Sequence, residues 1–134
     1  MVSEHDVRIF KTKWLARFAE RERIADRRLS EAIERAARGL VDADLGGGII
    51  KQRVARPGQG RAGGYRMLVA FRAGHRAVFL YGFAKHEREN IAPDELLTLR
   101  EIGAAWLAAD SNRIAEAVEQ KALQEVAHDE EDEA

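Results

Sequence analysis

Apolar positions in this chain follow two rhythms, and the switches between them mark out its elements. Val7-Arg8-Ile9-Phe10 alternates and predicts a short first strand. Thr12 then stands where a helix N-cap belongs, and Trp14, Leu15 and Phe18 follow at helical spacing for about two turns. Arg21 to Ile24 is a polar break. A second helix starts near Asp26, runs through Leu29, Ile33, Ala36 and Ala37, and has Gly39 as its C-cap, so the two helices form a hairpin with one apolar face each. Gly46-Gly47-Gly48 closes the helical region. The period then drops to two, and Ile49 to Val54, Tyr65 to Phe71 and Ala77 to Phe83 read as three strands. The glycine-rich loop from Pro57 to Gly64 joins the first two, and Ala73-Gly74-His75 turns between the second and third. Their expected apolar face (Ile50, Met67, Val69, Val78 and Leu80) is available for the helical hairpin.

Pro93 suits the first position of a third helix, with Asp94 and Glu95 complementing its dipole and Leu96, Leu99, Ile102, Gly103, Trp106 and Leu107 as its stripe. Ser111 caps a fourth helix with Ile114, Val118 and Leu123 on one face, and His128 to Ala134 is expected to be disordered. The class is α+β: an antiparallel β-sheet meander packed on an N-terminal helical hairpin, with a C-terminal helix. The core is expected to end near Leu107. That divides the chain into a domain over residues 1–109, folding without the residues from Ser111 on, and an acidic C-terminal helix and tail over 110–134.

Charge changes the picture more than composition does. The net charge over 134 residues is −1. Yet Ile49 to Ile91 holds nine Lys and Arg against Glu87 and Glu89, whereas Asp110 onward holds nine acids against Arg113 and Lys121. A charge separation of this kind points to a polyanion-binding face, most simply for RNA, with an acidic appendage. There is no cysteine, so disulfide and thiolate chemistry are excluded and a reducing, cytoplasmic location is expected. No apolar run is long enough to span a bilayer, the first residues do not read as a signal peptide, and no membrane association is expected.

Within the basic segment, Lys51 and Arg53 sit two apart on a strand and share a face, which Arg66 joins if the register allows. Clustered cations repel one another, and so few acids neutralise them that phosphate binding outweighs a merely solvated face. The glycine-rich loop lacks the Gly-Lys-Ser/Thr ending of a nucleotide cradle and leads into a strand, so it reads as a hairpin loop, with Arg56 and Arg61 suited to phosphate contact. Lys85-His86-Glu87-Arg88 follows the last strand, where His86 is either a solvated residue or a general acid or base. His5 and His75 read as exposed, and the four histidines lack metal-ligand spacing, so neither metal nor cofactor is expected. Trp14 and Trp106 default to the core, and Tyr65 and Tyr81 to packing, with base stacking as their other reading.

Gly48-Ile49-Ile50-Lys51-Gln52-Arg53-Val54-Ala55-Arg56, the glycine-rich loop, Gly64-Tyr65-Arg66 and the run from Tyr81 to Ile91 together resemble the RelE/ParE superfamily of type II toxin–antitoxin toxins, and the HigB-like branch in particular. The resemblance covers roughly Val7 to Leu107 and implies a compact microbial-RNase-like fold. It also implies a toxin that cuts mRNA in the ribosomal decoding site without metal and so inhibits translation. By motif match Lys51 and Arg53 are the strand cations, Arg66 clamps the phosphate, and Lys85 and His86 stand at the strand-end catalytic position. Arg56, Arg61, Tyr65, Arg72 and Arg88 are the accompanying candidate RNA-binding residues. The implied partners are a cognate antitoxin protein, the ribosome and mRNA, with operator DNA reached only through the antitoxin. The chain departs from the family in two places. Ala92 stands about where many RelE-type toxins carry a tyrosine, which moves weight onto His86, and the stretch from Ser111 exceeds the usual length. The competing reading is a non-catalytic module on the same scaffold, acting on a protein target as the ParE branch does on gyrase, or in operator-DNA autoregulation with an antitoxin. Convergence of Lys51, Arg53, Arg66 and His86 in one concave patch favours the nuclease, and dispersal favours the binder.

Overall fold

The structure is a computed structural model that describes residues 7–56 and 63–127. Strand β1 (Arg8–Thr12) runs directly into helix α1 (Lys13–Glu22), because the Thr12 hydroxyl accepts from Leu15 N at 3.2 Å and caps the first turn, as its position in the sequence predicts. Arg23, at φ 60°, ends α1, and α2 (Asp26–Ala37) follows. Gly46-Gly47-Gly48 does not simply close the helical region. All three glycines have positive φ and make the turn of a hairpin joining β2 (Ala43–Gly46) to β3 (Ile49–Val54). Then come β4 (Tyr65–Arg72), β5 (Arg76–Ala84), α3 (Pro93–Ala108), α4 (Ser111–Glu119) and β6 (Leu123–Glu125).

The six strands form one sheet in the order β2-β3-β4-β5-β1-β6, antiparallel except where β1 lies beside β5. A parallel neighbour needs a crossover, and α1, α2 and the meander that follows them supply it. Both faces are covered. On one, Leu15, Phe18, Leu29 and Ile33 of α1 and α2 pack with Ile50, Met67, Val69 and Phe79. On the other, Leu107, Ile114 and Ala117 of α3 and α4 pack with Phe10, Ile49, Leu68, Val78 and Leu80. A Cβ on Gly103 would lie 2.9 Å from Ile49 Cδ1, so α3 rests on the sheet at a distance that only glycine permits without a shift.

The expected α+β architecture is therefore present, with three corrections inside it. Val78 and Leu80 face α3, not the helical hairpin. The β4–β5 register slips between Leu68 and Val69, Leu80 is the extra residue, and Ala77 and Phe79 take the hairpin side. The core also continues past Leu107: Ile114, Ala117, Leu123 and Val126 are buried, and β6 adds a strand beyond β1 through Phe10↔Glu125 and Thr12↔Leu123. Trp14, expected inside, is 44% exposed and stacks on Tyr81 with centroids 4.5 Å apart. The expected disordered tail, 128–134, lies outside the described residues.

One buried amide fastens the sheet to the segment before β2. Gln52 is fully buried, donates from Nε2 to Ala32 O (2.9 Å) and Leu40 O (3.3 Å), and accepts at Oε1 from Asp42 N (2.8 Å). Gln52→Leu preserves the bulk but strips those backbone groups of their partner, at an expected cost of about 1–3 kcal/mol. Chemical denaturation reads this as a lower midpoint at unchanged slope. A midpoint equal to that of the unaltered chain refutes it.

Candidate functional site

Strand alternation lays out the site. Lys51 and Arg53 project from the α3 face of β3, the register sets Arg66 of β4 directly across from Arg53, and Phe83 of β5 lies across from Arg66. In the next row Lys51, Leu68 and Tyr81 lie side by side. Here a cavity of about 320 Å³ is lined by Lys51, Arg53, Arg66 and Lys85, together with Asp42, Glu89 and Asn90.

Like charges directly opposite each other destabilise a strand pair. Arg66 is only 8% exposed; burial first, and then the Arg53 guanidinium, lower its pKa from the ordinary arginine value, while Asp42 acts in the other direction. An arginine still carries its charge at neutral pH. Asp42 is held against backbone: its Oδ2 accepts from Arg53 N at 2.7 Å, with Arg35 Nη2 at 4.0 Å. Lys51 Nζ donates to Asn90 Oδ1 at 3.2 Å, and Arg88 Nε donates to Asn90 O at 2.9 Å. Arg88 Nη2 also donates to Glu95 Oε1 at 2.7 Å, and that oxygen accepts from Ala92 N at 2.9 Å. This hydrogen bond raises the Arg88 pKa and lowers that of Glu95. A line of polar contacts thus joins the start of α3 to Lys51.

The turn after β5 carries Lys85, His86 and Glu87 and is fixed by Lys85 N donating to Gly64 O (3.1 Å) and Glu87 N to Ala84 O (3.0 Å). A Cβ on Gly64 would fall 2.2 Å from Val54 O and 2.8 Å from Arg56 N, so the end of β3 reaches this turn only because residue 64 is glycine. Arg56 Nη1 consequently lies 3.4 Å from His86 Nδ1. A guanidinium can only donate, so this contact exists when Nδ1 carries no proton.

Of the residues singled out in the sequence, Lys51, Arg53, Arg66 and Lys85 come together in one cavity. His86 is exposed on the turn next to Lys85, in contact with Arg56, and does not itself line the cavity. Arg88 is held by Glu95 and lies 3.4 Å from the Tyr81 hydroxyl. Two of the expected RNA-binding residues lie away from this cavity. Tyr65 is buried on the opposite face, toward α1 and α2, and its hydroxyl donates to Glu22 Oε1 at 3.0 Å; burial first, then Glu22, raise its pKa. It packs the core and offers no face to a base. Arg72 stands at the far end of β4, across from Arg76 and beside the 73–75 turn. Arg61 lies outside the described residues. Asp42 and Asn90 were missed by sequence reasoning. The signal for Asp42 was the glycine triplet: read as a hairpin turn, it sets Ala43 across from Lys51 and Asp42 next to Arg53. Asn90 carried no such signal. Among the described residues no group of three or more His, Asp or Glu is placed to hold a metal ion.

The fold and this cavity define a small α+β protein with a cationic cleft across three strands. Over residues 7–126 the chain matches the family described as the RelE toxin of the RelE / RelB toxin–antitoxin system, and it belongs to that family. It is thus a RelE-type toxin with a cognate antitoxin as its partner. The match runs through α4 and β6, so the stretch after Ser111 that exceeded the expected family length lies largely within the matched region. Comparison with curated proteins and with solved structures finds no match. Among the described residues no helix is long and apolar enough to cross a membrane.

Proposed function

We propose that this toxin is a ribosome-dependent, HigB-like mRNA endonuclease that inhibits translation, using its own cations and an imidazole without a metal. What carries the reading is the cross-strand pair of Arg53 and Arg66, set with Lys51 and Lys85 around one concave site. Two arginines directly opposite on paired strands repel each other, with Asp42 offsetting part of that charge, and they suit the non-bridging oxygens of a phosphodiester.

In the proposed reaction the 2′-oxygen of the scissile nucleotide attacks the adjacent phosphorus as its proton leaves to a base. Arg53 and Arg66 hold the equatorial oxygens, and Lys51 and Lys85 offset the charge that grows on the phosphorane. The bond to the 5′-oxygen breaks as that oxygen takes up a proton, giving a 2′,3′-cyclic phosphate and a 5′-hydroxyl. One of these two proton transfers is assigned to His86, which follows the cavity residue Lys85 and has Arg56 at Nδ1, although it does not itself line the cavity. The ribosome supplies the mRNA, single-stranded and positioned.

Charge reversal tests the polyanion reading directly. Wild-type affinity for ribosomes and for single-stranded RNA is expected to fall steeply with salt, with a log–log slope of about −3 for four engaged cations. The double variant Lys51→Glu, Arg53→Glu is expected to bind neither at moderate ionic strength, in filter binding and ribosome pelleting. Equal binding by this variant removes the proposal.

A further inference from the structure

Helix α3 carries apolar side chains on more sides than it buries. Gly103 and Leu107 press on the sheet, while Leu99, Ile102 and Trp106, spaced three and four residues apart, form a neighbouring stripe. That stripe does not end in open solvent. With Trp14 at the start of α1 and with Leu80 and Tyr81 of β5 it lines a groove of about 510 Å³. The groove is apolar yet open: Trp14 is 44% and Ile102 41% exposed. Concave apolar surface of this kind, with two tryptophans and a tyrosine, is what protein partners use as anchor sites.

The surroundings narrow the occupant. At one end Lys13 belongs both to the groove and to a neighbouring cavity of about 450 Å³, whose charged lining is Lys11, Lys13, Arg17 and Lys121 against Glu20. Lys11 is already paired with Asp26 at 2.7 Å, which leaves Lys13, Arg17 and Lys121 to set the sign of that end. A fitting segment is therefore apolar along one face and acidic where it meets these cations. The chain's own acidic residues 129–133 have the charge but contain no apolar side chain to fill the groove. Two copies of a concave surface do not fill each other. The partner that family membership establishes is the antitoxin.

We propose that the antitoxin docks here, laying an amphipathic, acid-ended segment between α1 and α3. Tyr81 lies in one cross-strand row with Leu68 and Lys51, so the groove and the cationic cavity open on the same face of the sheet. A segment seated on Tyr81 keeps a partner as large as a ribosome off that face without having to fill the cavity. Neutralisation by this route needs no contact with Arg53 or Arg66.

The test uses the full-length chain and its antitoxin, taken as the protein whose co-expression with the chain yields a purified complex. Ile102→Glu places a charge on the groove at an exposed helical position, and a melting curve verifies that the variant is folded. Calorimetric titration is expected to show antitoxin affinity weakened about 30-fold or more. Leu40→Glu, at a more exposed apolar residue outside the groove, is expected to leave affinity within about threefold, as surface positions away from hot spots do. Amide exchange of the complex is expected to show protection at the start of α1 and along α3. Affinity within threefold for Ile102→Glu, or protection confined to other elements, overturns the proposal. So does a loss of self-association on sedimentation with antitoxin binding intact, which assigns the groove to a second copy. None of these readings depends on whether the toxin cuts RNA.

Discussion

His86→Ala slows cleavage of ribosome-bound mRNA by about 10²–10⁴-fold and leaves ribosome affinity and melting temperature close to those of the unaltered toxin. Cleavage by internal attack requires a proton to leave the 2′-oxygen and one to reach the 5′-oxygen, and imidazole is the side chain best suited to both near neutral pH. The basic segment has two, His75 and His86. His75 is exposed on the turn at the opposite end of β4 and β5, beside Arg72 and Arg76. His86 follows Lys85, which lines the cationic cavity, on a turn anchored to Gly64 and Ala84. Being exposed, it contributes little packing, so its loss should fall on rate and not on stability. Arg56→Ala is expected to lose less activity than His86→Ala, because Arg56 acts on His86 by positioning it. The two losses are expected not to add, since both report on the same imidazole. His75→Ala serves as the control and should cleave normally. Full activity in His86→Ala shifts the proton transfer to Lys51, the cavity cation on β3.

Much of this arrangement was legible because it depends on local rules. The Thr12 cap, the start of α3 at Pro93 and the shared face of Lys51 and Arg53 all follow from single residues or from a two-residue period. What failed depends on pairing. Nothing local announces the register slip at Leu68, yet it transfers Val78 and Leu80 from one core to the other. β2 and β6 have four and three residues and were not expected, since strands so short show no usable alternation. One error was avoidable. Tyr65 and Arg66 are consecutive on a strand and must point to opposite faces, so both could not serve one site. The burial of Arg66 opposite Arg53 turns a loose basic cluster into a cleft, and it becomes visible only once β3 and β4 are paired.

Removing residues 111–134 is expected to leave no cooperatively folded protein, whereas removing 128–134 alone should shift the melting temperature by only a few degrees. β1 lies between β5 and β6, so the longer deletion turns an interior strand into an edge. It takes away the pairing of Thr12 with Leu123 and of Phe10 with Glu125, and with them the bond from Val126 N to Ile9 O at 2.8 Å. Arg8 loses its ion pair with Glu125 at 2.9 Å, which at the surface matters little. The apolar loss decides the outcome. Ile114, Leu123 and Val126 are each at most 1% exposed, and Ala117 is fully buried. At roughly 1.5–3 kcal/mol for each large side chain, their burial accounts for about 5–9 kcal/mol. That is comparable with the whole stability of a domain this size, about 5–15 kcal/mol. Phe10, fully buried in the same cluster, would also face water. The shorter deletion removes none of these groups. Thermal denaturation followed by circular dichroism separates the cases: a sharp transition near the wild-type temperature for residues 1–110 shows that the domain ends where the sequence first suggested, and its absence assigns α4 and β6 to the core.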